Sequence, residues 1–134
     1  MTVAADHRPD LDSPEHIRAF VHAFYAKLLK DEQLAPIFLD VAAIDLQKHL
    51  PLIVSYWEKL LLGQSDYRRH TMNIHRAVHA KRELTAADFE RWLDYFLATV
   101  DAGFAGPQAE RAKQTATYIA GNMQRALNPD SPRA

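Results

Sequence analysis

Residues 13–30, SPEHIRAFVHAFYAKLLK, decide the fold class. Ser13 offers a hydroxyl cap, Pro14 occupies a first helical position whose amide needs no partner, and Glu15 puts negative charge at the positive end of a helix. Behind that start, Ile17, Phe20, Val21, Phe24, Tyr25, Leu28 and Leu29 recur at three- and four-residue steps. That period lays them along one helical stripe, whereas a half-buried strand would alternate residue by residue. The spacing predicts a helix from the Ser13 cap to about residue 30.

The same reading extends downstream. EQLAPIF is interrupted by Pro36 and supplies at most one turn before Phe38. From 46 to 62, Leu46, His49, Leu50, Ile53, Tyr56, Trp57, Leu60 and Leu61 share a face, and Gly63 is a natural stop. Pro51 conflicts with this helix, so either it starts later than Leu46 or its first turns are bent. Residues 64–78, QSDYRRHTMNIHRAV, lack clear periodicity and read as a loop with a short helix near its end. Thr85-Ala86-Ala87-Asp88 resembles a capping box, and Phe89, Trp92, Leu93, Phe96, Leu97 and Val100 continue as a stripe to Gly103. Gly106-Pro107 precedes a last helix whose face, Ala112, Ala116, Ile119, Ala120, Met123 and Leu127, is narrow and rich in small residues. No segment reads as a strand. Four substantial helices with short connections predict an all-α domain over residues 13–127, with polar, proline-bearing tails at 1–12 and 128–134.

At 134 residues and 48% hydrophobic content, one domain with one core and one enclosed small-molecule site is the expectation. Lys plus Arg (16) and Asp plus Glu (17) nearly cancel, which argues against nucleic acid and anionic membrane surfaces as partners. The polar opening MTVAADHRPD has no apolar run of the signal-peptide kind, and no later run approaches the length of a membrane helix, so a cytoplasmic protein is expected. Zero cysteines exclude disulfides, zinc-thiolate and iron–sulfur sites and thiolate-ligated haem. Histidine is then the natural metal ligand.

Tyr25, His49 and Trp92 are polar groups set inside apolar stripes, and His79 ends the irregular segment. A core tyrosine or tryptophan usually bonds a nearby carbonyl, and a lone core histidine is more often a packing residue than a ligand. Taken singly, these residues decide nothing.

Taken together, they resemble the pattern of bacterial group III truncated haemoglobins over residues 17–127. In AFYAKLLKDEQLAPIF, Phe24-Tyr25 is followed by Phe38, thirteen residues after Tyr25. In KHLPLIVSYWEKLLLG, His49 precedes Trp57 by eight, and in VHAKRELTAADFERWLDYF, His79 precedes Trp92 by thirteen. The four glycines are isolated, in keeping with the third truncated group, which lacks the Gly-Gly pairs of the other two.

The resemblance implies a truncated-globin fold, two helices over two, around haem b. It implies His79 as the proximal iron ligand, a role suited to neutral imidazole, which leaves the opposite axial position free. His75, one turn earlier, is the rival, and a two-histidine metal site or a solvated histidine are the other readings. His79 is preferred here for its distance to Trp92. On the other face the resemblance puts Tyr25, Trp92 and His49 around a gas ligand, where a preorganised phenol or indole proton stabilises negative charge. Phe24, Leu28, Phe38, Ile53, Trp57 and Phe96 would be apolar walls, and Trp92 would cover the porphyrin. Arg76, within the basic group Arg68, Arg69, Arg76, Lys81 and Arg82, would meet a haem propionate, although exposed ion pairs of this kind are weak.

Two functions of different class share such a site. One is reversible binding of oxygen, or of carbon monoxide or nitric oxide; the other is a redox enzyme, a nitric oxide dioxygenase or peroxidase-like, supplied by an external reductase. Several donors around the ligand slow its release, which suits chemistry on the bound gas. No G-x-G-x-x-G occurs, so electrons would come from outside. A cofactor-free helical interaction domain is the third reading.

Overall fold

Ser13 begins the first helix as its sequence requires: its hydroxyl accepts the His16 amide at 3.2 Å, and helix α1 runs over Pro14–Leu28. The end falls two residues early because the amides of Lys30 and Asp31 turn back to the carbonyls of Lys27 and Leu28, tightening the last turn. The computed structural model describes residues 8–63 and 71–128. After Pro36 the chain makes a π-helical turn, Ile37–Val41. Helix α2 spans Leu46–Leu62, capped by Asp45 and closed by Gly63 in the left-handed region at φ 69°. Pro51 lies inside it, exposed to solvent, so the carbonyl that lost its donor remains open to water.

Helix α3 occupies Thr71–Lys81 and is longer than the short terminal helix predicted for that region. Its apolar stripe, Ile74, Ala77 and Val78, is narrow and interrupted by basic residues, which hides the period. The capping box at Thr85 and Asp88 forms in both directions and starts α4, Ala86–Gly103. Helix α5 is Pro107–Leu127. No strand occurs among the described residues.

Helix α1 packs on α2 and α4, α4 packs on α5, and α2 and α3 both reach α5. The joint between the pair α1–α2 and the pair α4–α5 is aromatic. Phe20 meets Phe96 edge to face with centroids 4.8 Å apart, Phe24 meets Phe96 at 5.2 Å, and Trp57 tilts against Phe96 at 5.0 Å. On α5, Ala109, Ala112 and Ala116 are fully buried, and their small side chains let α4 approach closely.

The predicted tails need correction at their inner ends. Leu11 is 0% exposed and belongs to the core. Asp10 beside it accepts the amides of Gln108 at 3.1 Å and Ala109 at 2.7 Å, capping α5 from a distant part of the chain. Gly106 holds φ +132°, and a Cβ there would lie 2.6 Å from Asp10 Cγ. Asn128 likewise belongs to the domain, its side-chain amide donating to the Leu84 carbonyl at 2.9 Å. Residues 1–7 and 129–134 of the predicted tails lie outside the described residues.

Two buried carboxylates tie α1's exit to α4. Asp31 accepts the Gln33 and Leu34 amides through one oxygen, and Arg91 Nε and the Tyr95 hydroxyl through the other, both at 2.6 Å. Burial pushes its pKa up, but the hydrogen bonds from Tyr95, Leu34, Arg91 and Gln33 outweigh it and hold the carboxyl at about 2. Asp88 is held at about 2 in the same way, burial being outweighed by Arg82, the Thr85 amide and Gln33. A carboxyl held below its ordinary value contributes stability that is complete above about pH 4 and lost as pH falls towards 2.

Acid unfolding followed by circular dichroism is therefore expected to steepen between about pH 4 and 2, and Asp31→Asn is expected to flatten that limb while lowering stability at neutral pH. A variant limb parallel to that of the parent would contradict this assignment. Asp10→Ala is expected to cost about 1 kcal/mol, the usual worth of an N-cap, read as a lowered thermal midpoint.

Candidate functional site

A cavity of about 450 Å³ lies where all five helices converge, within the range usual for small-molecule sites. Phe24 and Tyr25 reach it from α1, and Leu34, Ile37 and Phe38 from the turn beyond. Helix α2 contributes His49, Ile53, Tyr56 and Trp57; α3 contributes Ile74, His75, Ala77, Val78 and Lys81. Phe89 and Trp92 of α4 and Ile119, Ala120 and Met123 of α5 complete most of the wall. The lining is predominantly apolar with a few polar groups.

The best-defined polar pair is Tyr25 and His49. The phenol oxygen and His49 Nε2 are 3.1 Å apart, and the two rings also pack edge to face with centroids at 5.6 Å. Burial pushes the Tyr25 phenol well above its ordinary range, so it keeps its proton at any physiological pH. Where His49 carries its hydrogen on Nδ1, Tyr25 donates to Nε2. Where Nε2 carries the hydrogen, His49 donates and the phenol hydrogen is released to point elsewhere. Trp92 lies near them, 5.6 Å from Phe24 between centroids, and its indole can donate but not accept.

The structure brings together seven of the predicted site residues, Phe24, Tyr25, Phe38, His49, Ile53, Trp57 and Trp92. Four others stand apart from the cavity lining. Leu28 and Phe96 are fully buried in the core, and Arg76 is exposed, donating to Asn73 at 3.1 Å. The fourth is His79. Its Nδ1 lies 2.9 Å from the Leu84 amide nitrogen. An amide can only donate, so Nδ1 is the acceptor and the hydrogen of the neutral ring sits on Nε2. In this arrangement Nδ1 is taken up by the Leu84 amide. His75, one turn earlier and considered as the rival, does line the cavity. The thirteen-residue distance from His79 to Trp92 counts positions along the chain and does not say which turn of α3 faces the cavity.

Residues the sequence reading missed as lining include Tyr56, Ile74, Val78, Lys81 and Met123. Ile74, Val78 and Lys81 share the i, i+4, i+7 step of one helix face, so the signal was present once α3 is known to be helical. Tyr56 and Met123 read equally well as ordinary core. Arg68 and Arg69 lie outside the described residues.

A family model of bacterial-like globins matches residues 11–125. The chain belongs to the bacterial-like globin family. It is 27% identical over 116 residues to the group 3 truncated hemoglobin ctb of Campylobacter jejuni, a match covering 84% of this chain and 89% of that protein. Its fold is similar to the crystal structure of group III truncated hemoglobin from Campylobacter jejuni, with a TM-score of 0.80 at 24% identity, covering 99% of this chain and 100% of the other. The predicted all-α truncated-globin fold and the family resemblance are thereby established. Membership of the bacterial-like globins supports haem-based ligand binding. Among the described residues, no helix is long and apolar enough to cross a membrane.

The cavity suits such a cofactor on chemical grounds. Its walls are aliphatic and aromatic, one imidazole enters from α3, and the Tyr25–His49 pair enters from α1 and α2. Apolar walls exclude water from a flat hydrophobic macrocycle, while Lys81 offers a cation for a carboxylate at its edge.

Proposed function

We propose that this bacterial-like globin holds haem b through His75 and binds oxygen, or another diatomic gas, beneath Tyr25 with His49 and Trp92 alongside. One observation carries the reading: His75 from α3 and the Tyr25–His49 pair from α1 and α2 line the same apolar cavity. Haem would supply an iron that His75 would hold and that would take up a diatomic gas. The protein's part is to hold donors where negative charge gathers on the gas.

Tyr25 suits that task because its buried phenol stays neutral and keeps a proton to give. His49 sets where the proton points. With Nε2 unprotonated it draws the phenol hydrogen towards itself; with Nε2 protonated it donates to the phenol oxygen and leaves the phenol hydrogen for a ligand in the cavity. Trp92 adds an indole donor from α4 and a ring that lines the pocket. In an apolar enclosure each such bond is stronger than in water, which favours slow release of a partly negative ligand such as oxygen. Reduction of the iron would come from an external reductase.

His75→Gly is expected to abolish the absorption spectrum of histidine-ligated ferrous haem, and added imidazole to restore it. His79→Asn is expected to keep that spectrum. Loss in His79→Asn with retention in His75→Gly would overturn the assignment of the axial ligand, and a purified protein without a Soret band would overturn haem binding altogether.

Tyr25→Phe is expected to speed oxygen dissociation by about one to two orders of magnitude, since a hydrogen bond to a charged group contributes roughly 1.5 to 3 kcal/mol and about 1.4 kcal/mol corresponds to a factor of ten. Carbon monoxide, which carries less negative charge when bound, is expected to respond much less. Stopped-flow measurements of both gases on the ferrous protein decide the matter, and equal effects would mean that Tyr25 acts by shape rather than by its proton.

A further inference from the structure

Helix α3 presents a mechanical problem. None of its described side chains, from Met72 to Lys81, is buried, whereas α1, α2, α4 and α5 each fix themselves with several buried residues. Met72 and Val78 of α3 pack against the core from its inner side, and polar contacts at its end add to their hold on its rotational setting.

The polar contacts at the C-terminal end of α3 answer that problem. Leu84, 6% exposed, follows the helix by three residues, and both of its backbone groups are claimed by side chains. Its amide donates to His79 Nδ1 at 2.9 Å. Its carbonyl accepts from Asn128 Nδ2, also at 2.9 Å, and the same nitrogen lies 3.2 Å from the Gln124 carbonyl near the end of α5. One residue later, the Thr85 amide donates to Asp88, which also receives Arg82 at 2.7 Å. The link from α3 to α4 is thus bonded to α3 by His79, to α5 by Asn128 and to α4 by Asp88.

We propose that His79 is a positioning residue: through Leu84 and Asn128 it latches the rotation of α3, and so sets the angle at which His75 presents its imidazole. This rests on the reading of His75 as the axial ligand. Positions 75 and 79 are separated by one helical turn and lie near one face, so a roll or slide of α3 that withdraws His75 also breaks the bond between His79 and Leu84. Breaking it strands a buried amide, because Leu84 is closed to water. The cost of that orphaned donor resists the roll. The imidazole suits the latch because it is rigid and accepts through Nδ1, three bonds from Cα. An asparagine places Oδ1 at the same distance along its side chain and also accepts, so it preserves the bond without supplying a ring.

The test uses the haem-loaded protein and the variants His79→Ala, His79→Asn and Asn128→Ala. Resonance Raman spectroscopy of the ferrous form reads the iron–histidine stretch, hydrogen exchange reads the Leu84 amide, and transfer to excess apomyoglobin reads the rate of haem loss. His79→Ala and Asn128→Ala are expected to shift or broaden the stretch, and His79→Ala to speed exchange at Leu84 and haem loss by roughly tenfold, the worth of one buried hydrogen bond. His79→Asn is expected to match the parent in all three. A parental stretch and parental Leu84 exchange in His79→Ala would overturn the latch while leaving His75 as ligand, and so would a lowered thermal midpoint with the stretch unmoved. Loss of histidine ligation in both His79 variants, with His75→Gly still ligated, would instead overturn the assignment of His75.

Discussion

Phe24 stands where the core ends and the cavity begins, and the architecture turns on its contacts. Its ring stacks on Phe20 at 5.8 Å and meets Phe96 at 5.2 Å, which places it in the joint between the two helix pairs. It also meets Tyr25 at 5.8 Å and Trp92 at 5.6 Å, both of which line the cavity. The packing that joins α1 to α4 therefore also sets the two groups suited to meet a ligand. Since edge-to-face aromatic contacts depend on angle as well as area, a substitution that keeps Phe24's volume but not its flat ring would disturb both.

Much of this was legible in the sequence because helix starts and stops depend on local chemistry. Ser13-Pro14, Thr85 with Asp88, Gly63 and Pro107 each act within one turn of where they stand, and each marks an observed boundary. Helix α3 was harder to read because only Ile74, Ala77 and Val78 mark its inner face and basic residues crowd between them. Tertiary partners were invisible. Nothing near Asp10 in the sequence says that it will cap α5, and nothing near Leu84 says that its amide will meet His79.

The same distinction governs the site. Aromatic residues on strong stripes, Phe24, Tyr25, Trp57 and Trp92, declared their inward face through periodicity, and the structure finds them at the cavity. The choice between His75 and His79 depended on the rotational setting of a weakly patterned helix, which counting along the chain does not reveal. The hydrogen bond from the Leu84 amide to His79 Nδ1 is what favours His75 in the proposed reading, and it is a tertiary contact that the sequence does not show. Leu28 and Phe96 show the converse limit: a residue on the correct face can still sit one layer too deep, in the core rather than the pocket.

The bond between Asp10 and the start of α5 has a consequence for synthesis. It joins residues 98 and 99 positions apart, so on the ribosome Asp10 must wait until almost a hundred further residues have been made before its partners exist. The local caps and the α1–α2 contacts form from neighbouring sequence and need no such delay. The N-terminal segment can therefore close over α5 only after α5 has been made, and the burial of Leu11 beside Asp10 is a long-range contact of the kind that slows folding.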